Sequence, residues 1–282
     1  MPPFHPRAAP RRPEGQPTRG KTHPNRLRHV DTFLARYDPG LIRRVDGPWA
    51  DAWAVDVGYG AEATTALEMA ARLRRINPQL GLLGVEIDPE RVAAAQPFAN
   101  ERTHFRLGGF NLPVQQPVRL IRAMNVLRQY DEPGVAPAWA RMASHLLPSG
   151  LLLEGTSDPL GRRWVVNVLR KSADNAALEH EALVFRLTLR EPFDPATLQP
   201  VLPKNLIHHM APDEPIAHFF AAWKQAALLT AAHQVWGPRR WFVAAAEQLA
   251  VQVAGASWRI DRRRAWLEDG FLIVYGLVAL GA

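Results

Sequence analysis

The run Val55-Asp56-Val57-Gly58-Tyr59-Gly60 constrains this chain more than any other stretch. Apolar residues from Ala52 to Val57 predict a short strand. The periodic stretch Glu62–Ile76 predicts a helix, with Ala66, Met69, Leu73 and Ile76 on one face and Asn77-Pro78 ending it. Only a tight turn remains between them. Glycines there let the backbone pass close to a ligand where a side chain would block it. The helix beyond offers unpaired N–H groups and a positive dipole end. Open α/β sheets bind ligands at this place, outside the carboxyl ends of their strands.

The alternation continues. Leu82–Ile87 reads as a second strand and Pro89–Phe98 as a helix with proline in its first turn. Thr103–Leu107, closed by Gly108-Gly109, is a third strand and Val118–Met124 a fourth. Val135–Leu147 is a helix stopped by Pro148-Ser149-Gly150, and Leu151–Glu154 a fifth strand. Strand and helix in turn predict the α/β class: a Rossmann-like sheet, mostly parallel, with helices on both faces.

Beyond residue 157 the pattern changes. Arg163–Leu169 and Ala182–Leu189 are apolar runs suited to antiparallel strands that complete the sheet. Asp213 is placed to cap a helix carrying Ile216, Phe219, Phe220, Trp223 and Ala227. Pro238 opens another, with Phe242, Leu249 and Val253 inward. Trp258–Leu267 and Phe271–Leu280, around Glu268-Asp269-Gly270, read as a hairpin. The expected division is a tail over 1–24, a Rossmann-like cofactor-binding domain over 25–190, and a helical and hairpin region over 191–282 on the substrate side. A short helix with Val30, Phe33, Leu34 and Tyr37 on one face precedes Pro39-Gly40.

The formal charge of +7 is concentrated at the start of the chain, where residues 1–30 hold seven basic residues against Glu14 alone. Residues 1–24 also contain seven prolines and almost no large apolar residue. Such a stretch cannot bury enough surface to offset its ordering entropy, so disorder is expected. A basic arm can also hold phosphates, which makes RNA a candidate partner through the tail. The absence of cysteine excludes thiolate nucleophiles, disulfides and iron–sulfur clusters. His208 and His209 are adjacent, their side chains diverge, and no metal site is expected. Phe271–Ala282 falls short of the roughly 20 residues a membrane helix needs. The Met-Pro-Pro start lacks a signal peptide's apolar core, so a soluble, cytoplasmic protein is expected. Trp223, Trp236, Trp241 and Trp258 read as core residues rather than base-stacking platforms.

Gly58-x-Gly60-x-x-Ala63 also satisfies the dinucleotide pattern, which is weak by itself. Three features point elsewhere. Asp56 puts a carboxylate at the end of the first strand, suited to a cationic ligand end such as the amino group and sulfonium of S-adenosylmethionine. Glu86, in Gly84-Val85-Glu86-Ile87-Asp88, ends the second strand with an acid able to accept both ribose hydroxyls. Gly108-Gly109-Phe110-Asn111-Leu112-Pro113 ends the third with small residues and an aromatic suited to an adenine.

Residues 52–157 resemble the class I S-adenosylmethionine-dependent methyltransferases. Asp56, Gly58 and Gly60 match the glycine-rich first motif and Glu86 the ribose-binding acid; Gly109 and Phe110 fall where that family contacts adenine. Met124-Asn125-Val126-Leu127-Arg128-Gln129-Tyr130 is similar to the fourth-strand motif that flanks the methyl group. Pro148–Glu154 is similar to the segment leading into the fifth strand. Glu62, where many members have a third glycine, and Gly109, where aspartate is frequent, depart from the pattern. The runs Gly20–Arg28 and Leu202–His208 resemble a bacterial methyltransferase subgroup, which identifies no acceptor.

The resemblance implies an S-adenosylmethionine site at Asp56, Gly58, Tyr59, Gly60, Glu86, Ile87, Gly109, Phe110 and Asn125. Asn125, Tyr130 and Glu154 are the candidates near the methyl end. The acceptor is a small molecule or an RNA. Two alternatives stay open: a non-catalytic RNA-binding protein on the same fold, and a nicotinamide-dependent oxidoreductase.

Overall fold

The computed structural model describes residues 13–16, 23–174, 177–190 and 192–278. The other residues of the expected 1–24 tail lie outside that set.

Nine strands form one sheet in the order β3-β2-β1-β4-β5-β6-β7-β9-β8. The strands are β1 (Trp53–Val57), β2 (Leu82–Glu86), β3 (Thr103–Leu107), β4 (Val118–Met124), β5 (Leu146–Ser157), β6 (Arg163–Lys171), β7 (Leu178–Leu187), β8 (Arg259–Ile260) and β9 (Phe271–Tyr275). Pairing is parallel from β3 through β5 and antiparallel from β5 to the β8 edge. The chain runs outward from β1 to β2 and β3, then returns to β4 on the other side of β1. That order is Rossmann-like, and its reversal lies between β1 and β4.

The helices are α1 (Arg28–Tyr37), α2 (Pro39–Arg43), α3 (Thr64–Leu73), α4 (Pro89–Ala95), α5 (Val135–Ala143), α6 (Lys204–Ile207), α7 (Pro215–Leu229), α8 (Pro238–Gln252) and α9 (Arg264–Glu268). Side chains alternate between the two faces of a strand, so each strand feeds two cores. On one face Ala54, Leu120, Leu153 and Val166 pack with Val30 and Phe33 of α1, Met69 of α3 and Trp266 of α9. On the other, Val55, Val85 and Ile121 pack under Trp139 and Met142 of α5. Further along that second face, Val165, Phe185 and Leu272 pack under Phe219, Trp223 and Phe242 of α7 and α8. Arg119 of β4 is buried, and its guanidinium donates to the carbonyls of Leu41, Ile42 and Ala52 at 2.8–2.9 Å. It fastens α2 to the sheet.

Three local expectations need correction. Helix α7 starts one residue later than Asp213 would set it. Glu214 is its N-cap, without a side-chain cap bond, and Pro215 supplies the pre-set first turn. Strand β5 does not begin at Leu151 but runs through Pro148 and Gly150. The register steps from Val118↔Leu146 to Leu120↔Leu151, and Ser149 takes φ +67° in the resulting bulge. The C-terminal hairpin is only partly formed. Arg259 and Ile260 pair with β9, but the chain then turns into α9, because the charged run Asp261–Arg264 cannot present one apolar strand face.

Strand β9 slots between β7 and β8, so the 191–282 region completes the same sheet. Trp223 is fully buried, Trp241 and Trp258 pack against the core, and Trp236 is exposed, contrary to its reading as core. Among the described residues, no helix is long and apolar enough to cross a membrane.

Candidate functional site

The turn after β1 follows from its glycines. Gly58 and Gly60 take φ +68° and +93°, a region closed to most side chains. Gly58 donates its N–H to Val85 O at 2.7 Å, which pins the turn to β2. Glu86, buried at the end of β2, completes the cradle. Its Oε2 accepts from Gly60 N at 3.0 Å and its Oε1 from Ile87 N at 3.0 Å, with Arg91 Nη1 3.7 Å away. Tyr59 is buried, and its ring meets Phe105 edge-on at 5.4 Å.

Asp56 is not a free carboxylate. Its oxygens accept from Arg122 Nε at 2.9 Å and Arg122 Nη2 at 2.7 Å. Arg122 also contacts Asp31 of α1, and Arg72 reaches Asp31 from α3 at 2.7 Å. All of Asp31, Asp56 and Arg122 are buried. Burial pushes the Asp31 carboxyl up to about 6, against the lowering pull of Arg122 and Arg72. Burial alone would lower Arg122, but Asp31 and Asp56 together hold it above its ordinary value. The Arg122 guanidinium is thus spent on two buried acids and faces neither solvent nor a ligand.

A cavity of about 300 Å³ opens beside this turn, at the carboxyl ends of β1 and β4. Asp56, Gly58, Tyr59 and Gly60 line one side, Asn125 and Ser157 another, and Arg26, Leu27 and Pro159 the mouth. Asn125 holds the left-handed conformation at φ +62°, which asparagine tolerates better than most residues. Its Nδ2 donates to Ser157 Oγ at 3.1 Å, Ser157 N donates to its Oδ1 at 2.9 Å, and its own N–H donates to Gly155 O at 2.7 Å. The ends of β4 and β5 are thereby locked together. Ser157, Arg26 and Leu27 were not foreseen as site residues. Ser157 alone carried a signal, its place three residues past the expected end of the fifth strand.

The expected adenine side is already covered by the chain's own N-terminal segment. Phe110 N donates to Glu14 O at 2.9 Å and Glu14 N to Asn111 Oδ1 at 3.2 Å. Gln16 N donates to the Tyr130 hydroxyl, and Gln129 Nε2 to Gln16 O at 2.9 Å. Arg141 pairs with Glu14 at 2.8 Å. A Cβ on Gly109 would lie 1.8 Å from Glu14 O, so only glycine admits this approach. Residues 13–16 of the tail are therefore held, where the sequence predicts disorder. Phe110 and Ile87 sit around Gly15 and Gly109 against Glu14, and none of the three lines the cavity.

Tyr130 and Glu154 are unsuited to act as bases there. The Tyr130 hydroxyl takes the Gln16 N–H, and burial raises its pKa, which that bond only partly offsets. Glu154 lies on the opposite face of β5, buried, and accepts from Asn167 Nδ2 at 3.1 Å. Burial pushes its carboxyl up to about 7, which the Asn167 bond only partly offsets.

No family model matches this chain, and no curated protein does. It is similar to parts of several solved structures. One is the plantazolicin methyltransferase BpumL in complex with a pentazolic desmethylPZN analog and SAH, at 14% identity over 48% of each chain and TM-score 0.36. Another is the N-methyltransferase NodS from Bradyrhizobium japonicum WM9, at 17% identity over 47% of this chain and 68% of that one, TM-score 0.32. A third is the magnesium protoporphyrin IX methyltransferase ChlM from Synechocystis PCC 6803 with bound SAH, at 14% identity over 46% and 54%, TM-score 0.34. The chain spans about half the length of the first of these. Its own strand order and reversal point define a Rossmann-like α/β protein with a cavity at the switch point.

Proposed function

We propose that this chain is an S-adenosylmethionine-dependent methyltransferase acting on a small molecule or an RNA. The observation that carries the reading is the cavity at the β1/β4 reversal, bounded by the glycine turn on one side and Asn125 on the other. The residues present fit the methionyl and ribose part of that cofactor. Gly58 and Gly60 leave the backbone bare beside the cavity, and each Glu86 oxygen keeps a further lone pair beyond its backbone bond. The adenine end fits once Glu14–Gln16 gives way from Gly109 and Phe110.

Bound S-adenosylmethionine supplies an electrophilic methyl group, so the protein's contribution is mainly alignment. Asn125 and Ser157 form a rigid wall that orients whatever approaches that methyl. Asn125 cannot accept a proton as a base, so an acceptor that must lose one early would have to supply it to water or to its own group. Asp56 acts through Arg122, holding the floor of the turn rather than binding the ligand directly.

Calorimetry with S-adenosylmethionine and S-adenosylhomocysteine, with NADH as control, tests the reading. Saturable binding of both sulfur compounds, absent for NADH and lost in Gly60→Val, is the expected result. Binding of NADH alone would favour the oxidoreductase, and binding of none of them would end the cofactor assignment.

A further inference from the structure

A second, larger cavity of about 710 Å³ lies on the far side of the segment 24–28, between α1, the β5–β6 turn and the end of β7. The two cavities share a wall. A Cβ on Gly161 would fall 1.7 Å from Arg26 O, so the turn and the segment touch backbone to backbone. Six arginines line this second cavity against two carboxylates, and both carboxylates are taken. Asp269 pairs with Arg36 at 2.5 Å and Glu268 with Arg264 at 2.8 Å. Arg28, Arg186 and Arg239 have no carboxylate partner among the described residues.

The most telling residue is Arg186, which is only 5% exposed. Buried guanidinium groups are ordinarily matched by an acid, because an unpaired buried charge is costly. Arg186 instead donates to the Arg162 carbonyl at 2.9 Å and Thr188 Oγ1 at 2.6 Å, and its Nε has no hydrogen-bond partner. His29 Nε2 lies 3.1 Å from Arg186 Nη2 and 3.1 Å from Arg28 Nη2. Guanidinium nitrogens only donate, so this ring nitrogen is the acceptor and His29 is neutral with its proton on Nδ1. Burial, then Arg186 and Arg28, push the imidazole down to about 4, as a positive field requires. Asp269 and Asp158 act on Arg186 only through space, and neither forms an ion pair with either cation that the neutral ring bridges.

We propose that this cavity binds a small phosphate-bearing ligand, whose phosphoryl oxygens supply the missing counter-charge at Arg28 and Arg186. A phosphoryl group offers several acceptor oxygens and more than one charge, matching forked guanidinium donors better than a lone carboxylate does. The volume falls in the range of small-molecule sites, and the least exposed arginine lines its interior. Both features favour a compact ligand over an RNA backbone, which would read exposed arginines instead.

Inorganic pyrophosphate is titrated into the full chain by calorimetry at near-physiological ionic strength. Saturable binding is expected, weakened about tenfold or more in Arg28→Ala and Arg186→Gln, each of which removes a charged donor. Arg239→Ala should lose less, and Arg75→Ala, outside the cavity, nothing. Because Arg28 is exposed, its variant keeps the test decisive should Arg186→Gln fail to fold. Absence of saturable binding, or equal binding by Arg28→Ala and the parent, overturns the proposal. So does a single-stranded RNA oligomer that binds through Arg28 and is not displaced by pyrophosphate. None of these readouts depends on S-adenosylmethionine, so the cofactor assignment can fail without this one, and the reverse.

Discussion

The parallel and antiparallel halves of the sheet fill their interiors in different ways. Around β1 and β4 the buried space holds charge: Asp31, Asp56, Arg119 and Arg122, with Glu86 at the adjacent strand end. Around β6, β7 and β9 it holds mainly rings, together with the buried Arg186 of β7. Phe185 stacks on Phe219 at 4.9 Å and meets Trp223 at 5.6 Å, and Phe193 meets Phe242 at 5.2 Å. Ring packing gives cohesion without regard to ligand, whereas buried ion pairs hold specific backbone groups in place. The proposed cofactor site and the ring packing therefore lie in different halves of one sheet.

The largest effect that could break this comparison comes from Arg122→Leu. Removing one partner from a buried ionic cluster costs about 3–5 kcal/mol. Here it strands Asp31 and Asp56, so both the denaturation midpoint and cofactor binding should fall. Phe185→Ala costs a similar amount, about 3–5 kcal/mol, through its cavity. Its cofactor affinity should stay that of the parent when measured below the unfolding transition. Equal losses of binding in the two variants would show that the halves are not separable.

A smaller effect sharpens the picture at the boundary strand β5. Glu154 has a folded pKa of about 7, raised by burial above its ordinary value of 4.5. The folded state thus binds the proton more tightly, and its penalty is absent below the ordinary value and complete above the raised one. Stability should fall as pH rises through that window. Unfolding free energies from urea denaturation at about pH 5 and about pH 8 should differ by about 2 kcal/mol less in Glu154→Gln than in the parent. An unchanged difference would place the titrating group elsewhere.

The smallest effect concerns the N-terminal segment. Deleting residues 1–16 removes the Glu14–Arg141 pair and the contacts on Phe110 and Tyr130. Exposed pairs of this kind are worth at most about 1 kcal/mol, so affinity for S-adenosylmethionine should rise only about fivefold. Weaker binding after deletion would mean that the segment helps to hold the ligand.

The strand and turn pattern around Gly58 and Gly60 was legible because hydrophobic periodicity and glycine placement are local. The same holds for Pro89, Pro238 and the strands β3 and β4. What stayed hidden depends on partners far apart in the chain. Nothing near Arg122 announces that Asp31, 91 residues away, will meet it. Glu14 reaches Asn111 across 97 residues, so a proline-rich, basic context suggested disorder where a few specific bonds hold the segment. The short β8 and α9 were misread as one strand because three consecutive arginines blur any period.

Strand β5 belongs to both halves at once, hydrogen-bonded to β4 on one side and β6 on the other. Among the described residues, the sheet consequently has no break between its parallel and antiparallel halves. Access to the β1/β4 cavity has to be governed from its rim, by the turn at Pro159 and the segments around Arg26 and Glu14, while the sheet beneath behaves as a fixed bench.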